Sequence, residues 1–171
     1  LLHTTFNTTP SISTATPEAL FEGQGVVMAA SGAISRQAAG AYVTAFVFRH
    51  VLQETLPIEI FYSGPEEAFH GPVLKALQTL PNVHVIDLEQ ALTSLHSRGL
   101  MSLQPLPSPR VLKGYAAKVY AMQACSFREA LLFDAGVIPF ASSSRFFSLP
   151  SYQRQGLAVF SDYVSIDRGV W

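Results

Sequence analysis

Short apolar runs recur along this chain, bounded by turn residues and interleaved with helical spacing, and that alternation narrows the fold more than any other feature. Val26 to Ala29 (VVMA) lies among Gly23, Gly25 and Gly32, and Pro57 to Tyr62 (PIEIFY) ends on Ser63-Gly64-Pro65. Val83 to Leu88 (VHVIDL), Ala130 to Phe133 (ALLF) and Leu157 to Phe160 (LAVF) complete the set. Runs this short and this apolar fit strands buried on both faces of a parallel sheet. Between the first two, Ser35 is placed to cap a helix whose apolar positions are Ala38, Tyr42, Ala45, Phe46, Phe48, Val51 and Leu52. Glu66 to Leu80 has a helical pattern that Gly71-Pro72 must interrupt. Gly114 to Ala124 is the helix that leads into the fourth strand. Strands alternating with helices predict an α/β domain with a mostly parallel sheet.

The composition agrees with one packed domain. Of 171 residues, 49% are hydrophobic and 13% charged, which supports a large core and argues against disorder. Eleven basic residues against twelve acidic ones give a net charge of −1, so no electrostatic case exists for a nucleic-acid partner. Cys125 is the single cysteine, which rules out an intrachain disulfide; the sequence reads it as a small buried thiol on the helix before the fourth strand. The longest apolar stretch, Ala38 to Phe48, contains Gly40 and Thr44 and is the length of a buried helix rather than a membrane span.

The first twenty residues differ from the rest. LLHTTFNTTPSISTATP is rich in Thr, Ser and Pro and reads as a stalk or linker, with a glycosylation triplet at Asn7-Thr8-Thr9. The folded part is expected over residues 21–171. A chain that starts on Leu1 and stops on Trp171 is expected to be a piece of a longer protein.

Candidate chemistry gathers at the ends of strands, because ligands of open α/β sheets sit outside the strands' carboxyl ends. Asp134 ends the fourth strand. It is either a metal or sugar ligand or the first residue of an ordinary Asp-x-Gly turn. Asp162 follows the fifth strand with the same two readings, and the two acids are expected to open onto one crevice. Lys118, on the helix before the fourth strand, is either a phosphate contact or a solvated lysine. The loop Ser31-Gly32-Ala33 can offer backbone N–H groups to a nucleotide, with Arg36 beside it, or can be a simple turn. His3, His50, His70, His84 and His96 match no metal spacing. Ser142 to Ser144 has no base near it in sequence.

Four blocks in one order carry a resemblance: GVVMAASG (Gly25 to Gly32), TLPIEIFYSGPEE (Thr55 to Glu67), KGYAAKVYAMQACSFREALLFDAG (Lys113 to Gly136) and LAVFSDY (Leu157 to Tyr163). Together they resemble the fungal Golgi Mnn-type α-mannosyltransferases. The resemblance implies a GT-A fold, a Rossmann-like α/β/α sandwich, of which 21–171 is the nucleotide-sugar-binding part. It implies GDP-mannose as donor, a manganese ion, a glycan or glycoprotein acceptor, and retention of the α configuration. It also implies a place in the Golgi lumen as a type II membrane protein, anchored through a segment absent from this chain. By the same resemblance Asp134 matches the first acid of an Asp-x-Asp metal motif, Lys118 the lysine before that strand, and Asp162 a catalytic aspartate. Gly136 stands where the second acid of the motif belongs, which leaves a weaker metal site or a non-catalytic relative, and a transferase using another nucleotide sugar stays open because no residue here reads the base or the sugar directly.

Overall fold

The structure, a computed structural model, describes residues 21–101, 106–108 and 110–159. The Thr-rich start with Asn7, and Asp162 near the end, lie outside the described residues. The core is a sheet of four strands: β1 (Gln24–Ala29), β2 (Ile58–Tyr62), β3 (Val83–Asp87) and β4 (Glu129–Leu132). Their order is β3-β2-β1-β4, and all three pairings are parallel. The register sets Val83, Ile58, Val26 and Leu131 side by side, so one apolar row crosses the whole sheet.

Strand alternation divides the core between the two faces. Val26, Met28, Ile58 and Ile60 pack with Ala38, Ala41, Ala45 and Phe48 of α1 (Ser35–Phe46) and its extension, and with Leu77 of α2 (Gly71–Thr79). Val27 and Phe61 point the other way, against Leu88 and Leu92 of α3 (Leu88–Ser97) and Ala121 of α4 (Tyr115–Ala124). The result is the expected three-layer α/β/α arrangement of a Rossmann-like sandwich. Two shorter helices follow β4: α5 (Ser143–Phe147) and α6 (Pro150–Gln155).

Several local expectations change. Ser35 does not cap α1. Ile34 holds the cap position without a side-chain bond, and Ser35 is already the first helical residue. Its end continues as one turn of π-helix, Val47–Val51. Pro65–Glu67 forms a 3₁₀ turn, and α2 begins at Gly71 with Pro72 in its first turn, where a missing N–H costs nothing. The third run stops at Asp87, whose carboxylate accepts from the N–H groups of Glu89 and Gln90 and starts α3. Cys125 lies just past α4 and is buried, and burial pushes its thiol pKa up. It is inert, as expected.

The fifth strand is absent where the chain is described. Leu157, Ala158 and Val159 have no strand structure, and Phe160 lies outside the described residues. The left-handed Gly156 ends α6 just before them, and Leu157 and Val159 are exposed, with no strand among the described residues paired to them.

Candidate functional site

The sheet order reverses at β1. The chain moves outward from β1 through β2 to β3, then returns to lay β4 on the opposite side of β1. Loops leaving two neighbouring strands in opposite directions open a gap at the strands' carboxyl ends. A crevice of about 730 Å³ lies there, within the size range of small-ligand sites. Its walls are the end of β1 (Ala29 to Ser31), the start of α1 (Ile34, Arg36, Gln37), the end of β2, the first turn of α4, and the turn after β4. A second hollow, at β2 and β3, is lined by no lysine or arginine.

Lys118 and Asp134 both line the crevice and meet inside it. Lys118 Nζ is 2.5 Å from Asp134 Oδ1, with the lysine side chain 24% exposed and the aspartate 54%. The same ammonium stands 5.1 Å from the centroid of the Tyr115 ring, one turn back on α4. Lys113 also lines the crevice, held from outside by Glu66 at 3.3 Å. Arg36 is a third cation in the wall. Three cations therefore face two carboxylates, Glu67 and Asp134. The first turns of α1 and α4 add the positive ends of two helix dipoles.

One donor in this wall has no partner. Ser31 is 4% exposed, and its Oγ makes no hydrogen bond. Its backbone N–H is held by Gln37 Oε1 at 2.8 Å. A buried hydroxyl without a partner is uncommon, because desolvation is then uncompensated.

Asp134 owes its position to α1. Phe133 N–H still bonds Val27 O at 2.8 Å, so Asp134 is the first residue free of the ladder. A turn follows, closed by Val137 N–H to Asp134 O at 3.1 Å, with Gly136 at φ +93°. Positive φ at that third position is what such a turn requires, and glycine supplies it. Thr44, fully buried on α1, accepts from Gly136 N–H at 3.1 Å and donates to Val137 O at 3.0 Å. Gly40, one helical turn earlier, lets the backbones touch: a Cβ there would stand 2.9 Å from Gly136. Sequence reasoning missed Gly40 and Thr44. The signal was two small or polar residues four apart inside an otherwise apolar helix.

Gly32 has a different task from the one expected. Its N–H is donated to Glu67 O at 2.8 Å, and a Cβ there would lie 2.4 Å from Ala68 O. Close backbone approach explains this glycine, and its N–H is not available to a ligand. Ser143 is also structural, because its N–H and Oγ both donate to Glu54 at 2.8 Å.

Among the described residues, the donor set does not fit a manganese ion. No group of three or more His, Cys, Asp or Glu side chains able to hold a metal exists among the described residues. Asp134 is the one candidate from the motif, and an ammonium already lies on it. A divalent cation there would face a like charge within a few ångströms.

A family model described as "Mannosyltransferase putative" matches residues 23–168. A curated protein of Candida albicans (strain SC5314 / ATCC MYA-2876), "Putative alpha-1,3-mannosyltransferase MNN15", is 27% identical over 168 residues, covering 82% of this chain. The matched part is 21% of that protein, so this chain spans about a fifth of the length of the relative.

Proposed function

The chain belongs to this mannosyltransferase family, and from that premise we propose that the crevice at the β1–β4 switch point holds a nucleotide-sugar donor for mannosyl transfer. The donor is GDP-mannose, the acceptor a glycan or glycoprotein, and the product α-linked with retention of configuration. The fold is of the GT-A type, and the protein works in the Golgi lumen as a type II membrane protein. No described helix is long and apolar enough to cross a membrane, so the anchor would lie outside the described residues.

The observation that carries this reading is the wall that Lys118, Lys113 and Arg36 share with the first turn of α4 and the unpartnered hydroxyl of Ser31. Transfer of a sugar builds negative charge on a departing diphosphate. Fixed cations and helix N-termini stabilise such charge most where it develops. Lys118, which pairs with Asp134, supplies charge at the diphosphate. Asp162 is proposed as catalytic from the resemblance alone.

A second reading is favoured by Gly136 and by the occupied carboxylate of Asp134: a relative that binds nucleotide without transfer. Thermal shift with GDP, UDP and ADP, followed by transfer of labelled mannose from GDP-mannose to an α-mannoside by the whole protein, separates the two. Saturation at about a hundred times Kd is worth about 2.7 kcal/mol, a rise of several degrees in Tm. A GDP shift with transfer supports the enzyme. The same shift without transfer supports the non-catalytic relative. No shift with any of the three nucleotides removes the crevice as a donor site.

A further inference from the structure

We infer that this site neutralises its diphosphate with side-chain cations and not with a divalent metal ion. The inference rests on the reading of the crevice as a nucleotide-sugar site. Its first ground is Asp134. A metal ligand must turn an oxygen toward the metal, but Oδ1 here accepts the Lys118 ammonium at 2.5 Å. Breaking that pair to admit a dication leaves the ammonium beside it and the aspartate as the metal's one carboxylate from this turn. Oxygen cages for hard cations use several ligands, and one carboxylate holds them weakly.

The second ground is the turn. Gly136 has no side chain, and its φ of +93° suits no L residue well. A Cβ there would meet the Cα of Gly40 on α1 at 3.7 Å, an ordinary contact, so the constraint is the backbone angle and not the space. The backbone is thus fixed in a form that does not favour the second acid of a metal pair. Thr44 reinforces it by bonding both Gly136 and Val137.

The third ground is what the wall offers instead. Lys118, Lys113 and Arg36 bring three positive charges without metal. Ser31, which also lines the crevice, adds a buried hydroxyl that has no partner in the protein. Lysine holds phosphate as a point charge, and arginine can take two oxygens at once. A diphosphate would satisfy Ser31, which the protein alone leaves without a bond.

Titration calorimetry tests this on the whole chain. GDP is titrated in EDTA and again in excess manganese, and inorganic pyrophosphate is titrated in EDTA. The inference expects the GDP Kd to agree between buffers within about threefold. Lys118→Met should weaken GDP and pyrophosphate in EDTA by roughly tenfold or more, the scale of a lost charge-assisted bond. Asp134→Asn separates the alternatives by sign. It frees Lys118, so binding in EDTA should hold or tighten, whereas loss of a metal ligand would weaken binding in manganese. Both side chains are partly exposed, and circular dichroism checks that the variants fold. GDP binding that appears with manganese alone, and that Asp134→Asn removes, overturns the inference and leaves the donor reading intact. Pyrophosphate binding in EDTA without any GDP binding keeps the inference and removes GDP as the nucleotide. No binding of either probe in any buffer overturns both.

Discussion

The two ends of one sheet treat their polar groups in opposite ways. At the amino ends of β2 and β3, Arg49 is buried at 8% exposure and donates to four backbone carbonyls. They belong to Pro81, Glu54, Leu56 and Asn82, at 2.5 to 3.0 Å. Burial pushes its guanidinium pKa down, and Glu54 opposes that. Glu54 in turn holds Ser143 by two bonds. At the carboxyl ends, Lys118 has one carboxylate and an aromatic ring, Arg36 lines open space, and Ser31 Oγ has no partner. A buried cation bonded to backbone holds the loops at one end, and partly exposed cations line a crevice at the other. Position in the sheet therefore says more about a cation's work here than its residue type does.

The largest expected effect tests that contrast directly. Arg49→Met keeps the stem but removes a donor from four partly buried carbonyls, of which only Asn82 O keeps another, the Ile58 N–H. The cost should be on the order of 3 kcal/mol or more, since each orphaned acceptor carries a desolvation penalty. Thermal unfolding should fall by roughly 6–12 °C. Lys118→Met, which breaks a partly exposed pair, should cost under about 1 kcal/mol. Equal losses of Tm in the two variants would break the contrast.

A middle-sized effect is expected at the turn after β4. Gly136→Asp supplies the acid that the motif lacks but forces an L residue to φ +93°. The strain should cost roughly 1–3 kcal/mol. If Lys118 keeps Asp134, manganese affinity should not rise. A variant that folds as stably as the parent and binds manganese tightly would show that the turn adapts to a metal after all.

The sequence made the sheet legible because parallel strands are short and apolar throughout, and four such runs became β1 to β4. It singled out Asp134 at a strand end and Lys118 on the helix before that strand, each by itself, and the structure brings the two to one crevice. It could not show that the two side chains pair, because that depends on the turn which Gly40 and Thr44 hold from α1. It passed over α3, because VHVIDL runs from strand into helix without a break. The cap was present in Asp87 and Gln90, which bond one another at 3.3 Å. It overread LAVF, where apolar character alone stood for a strand. The Asp162 expectation falls outside the described residues.

The smallest effect sharpens the comparison by reversing its sign. Glu89, in the first turn of α3, closes against Gly64, where a Cβ would lie 2.6 Å from its carboxylate. Burial pushes its pKa up; the Asp87 carboxylate and, more weakly, Glu66 add to this, while Lys113 opposes. A carboxylate whose pKa is raised by folding binds its proton more tightly in the folded state. Its contribution is then favourable at pH below the unfolded value, about 4.3, and is lost as pH rises through the folded value. At neutral pH the charged group is a small burden, so Glu89→Gln should raise Tm. Solvent screens the group, and the gain should be a fraction of a kcal/mol, about a degree or two. The two proteins should converge in Tm as the pH is lowered below about 4. At the amino end, removing Arg49 can only harm; here a charge beside the crevice should be removable at a profit in stability. A Gln variant that is less stable at neutral pH, or a difference in Tm that ignores pH, would mean that Glu89 belongs with Arg49 among the groups that hold the fold.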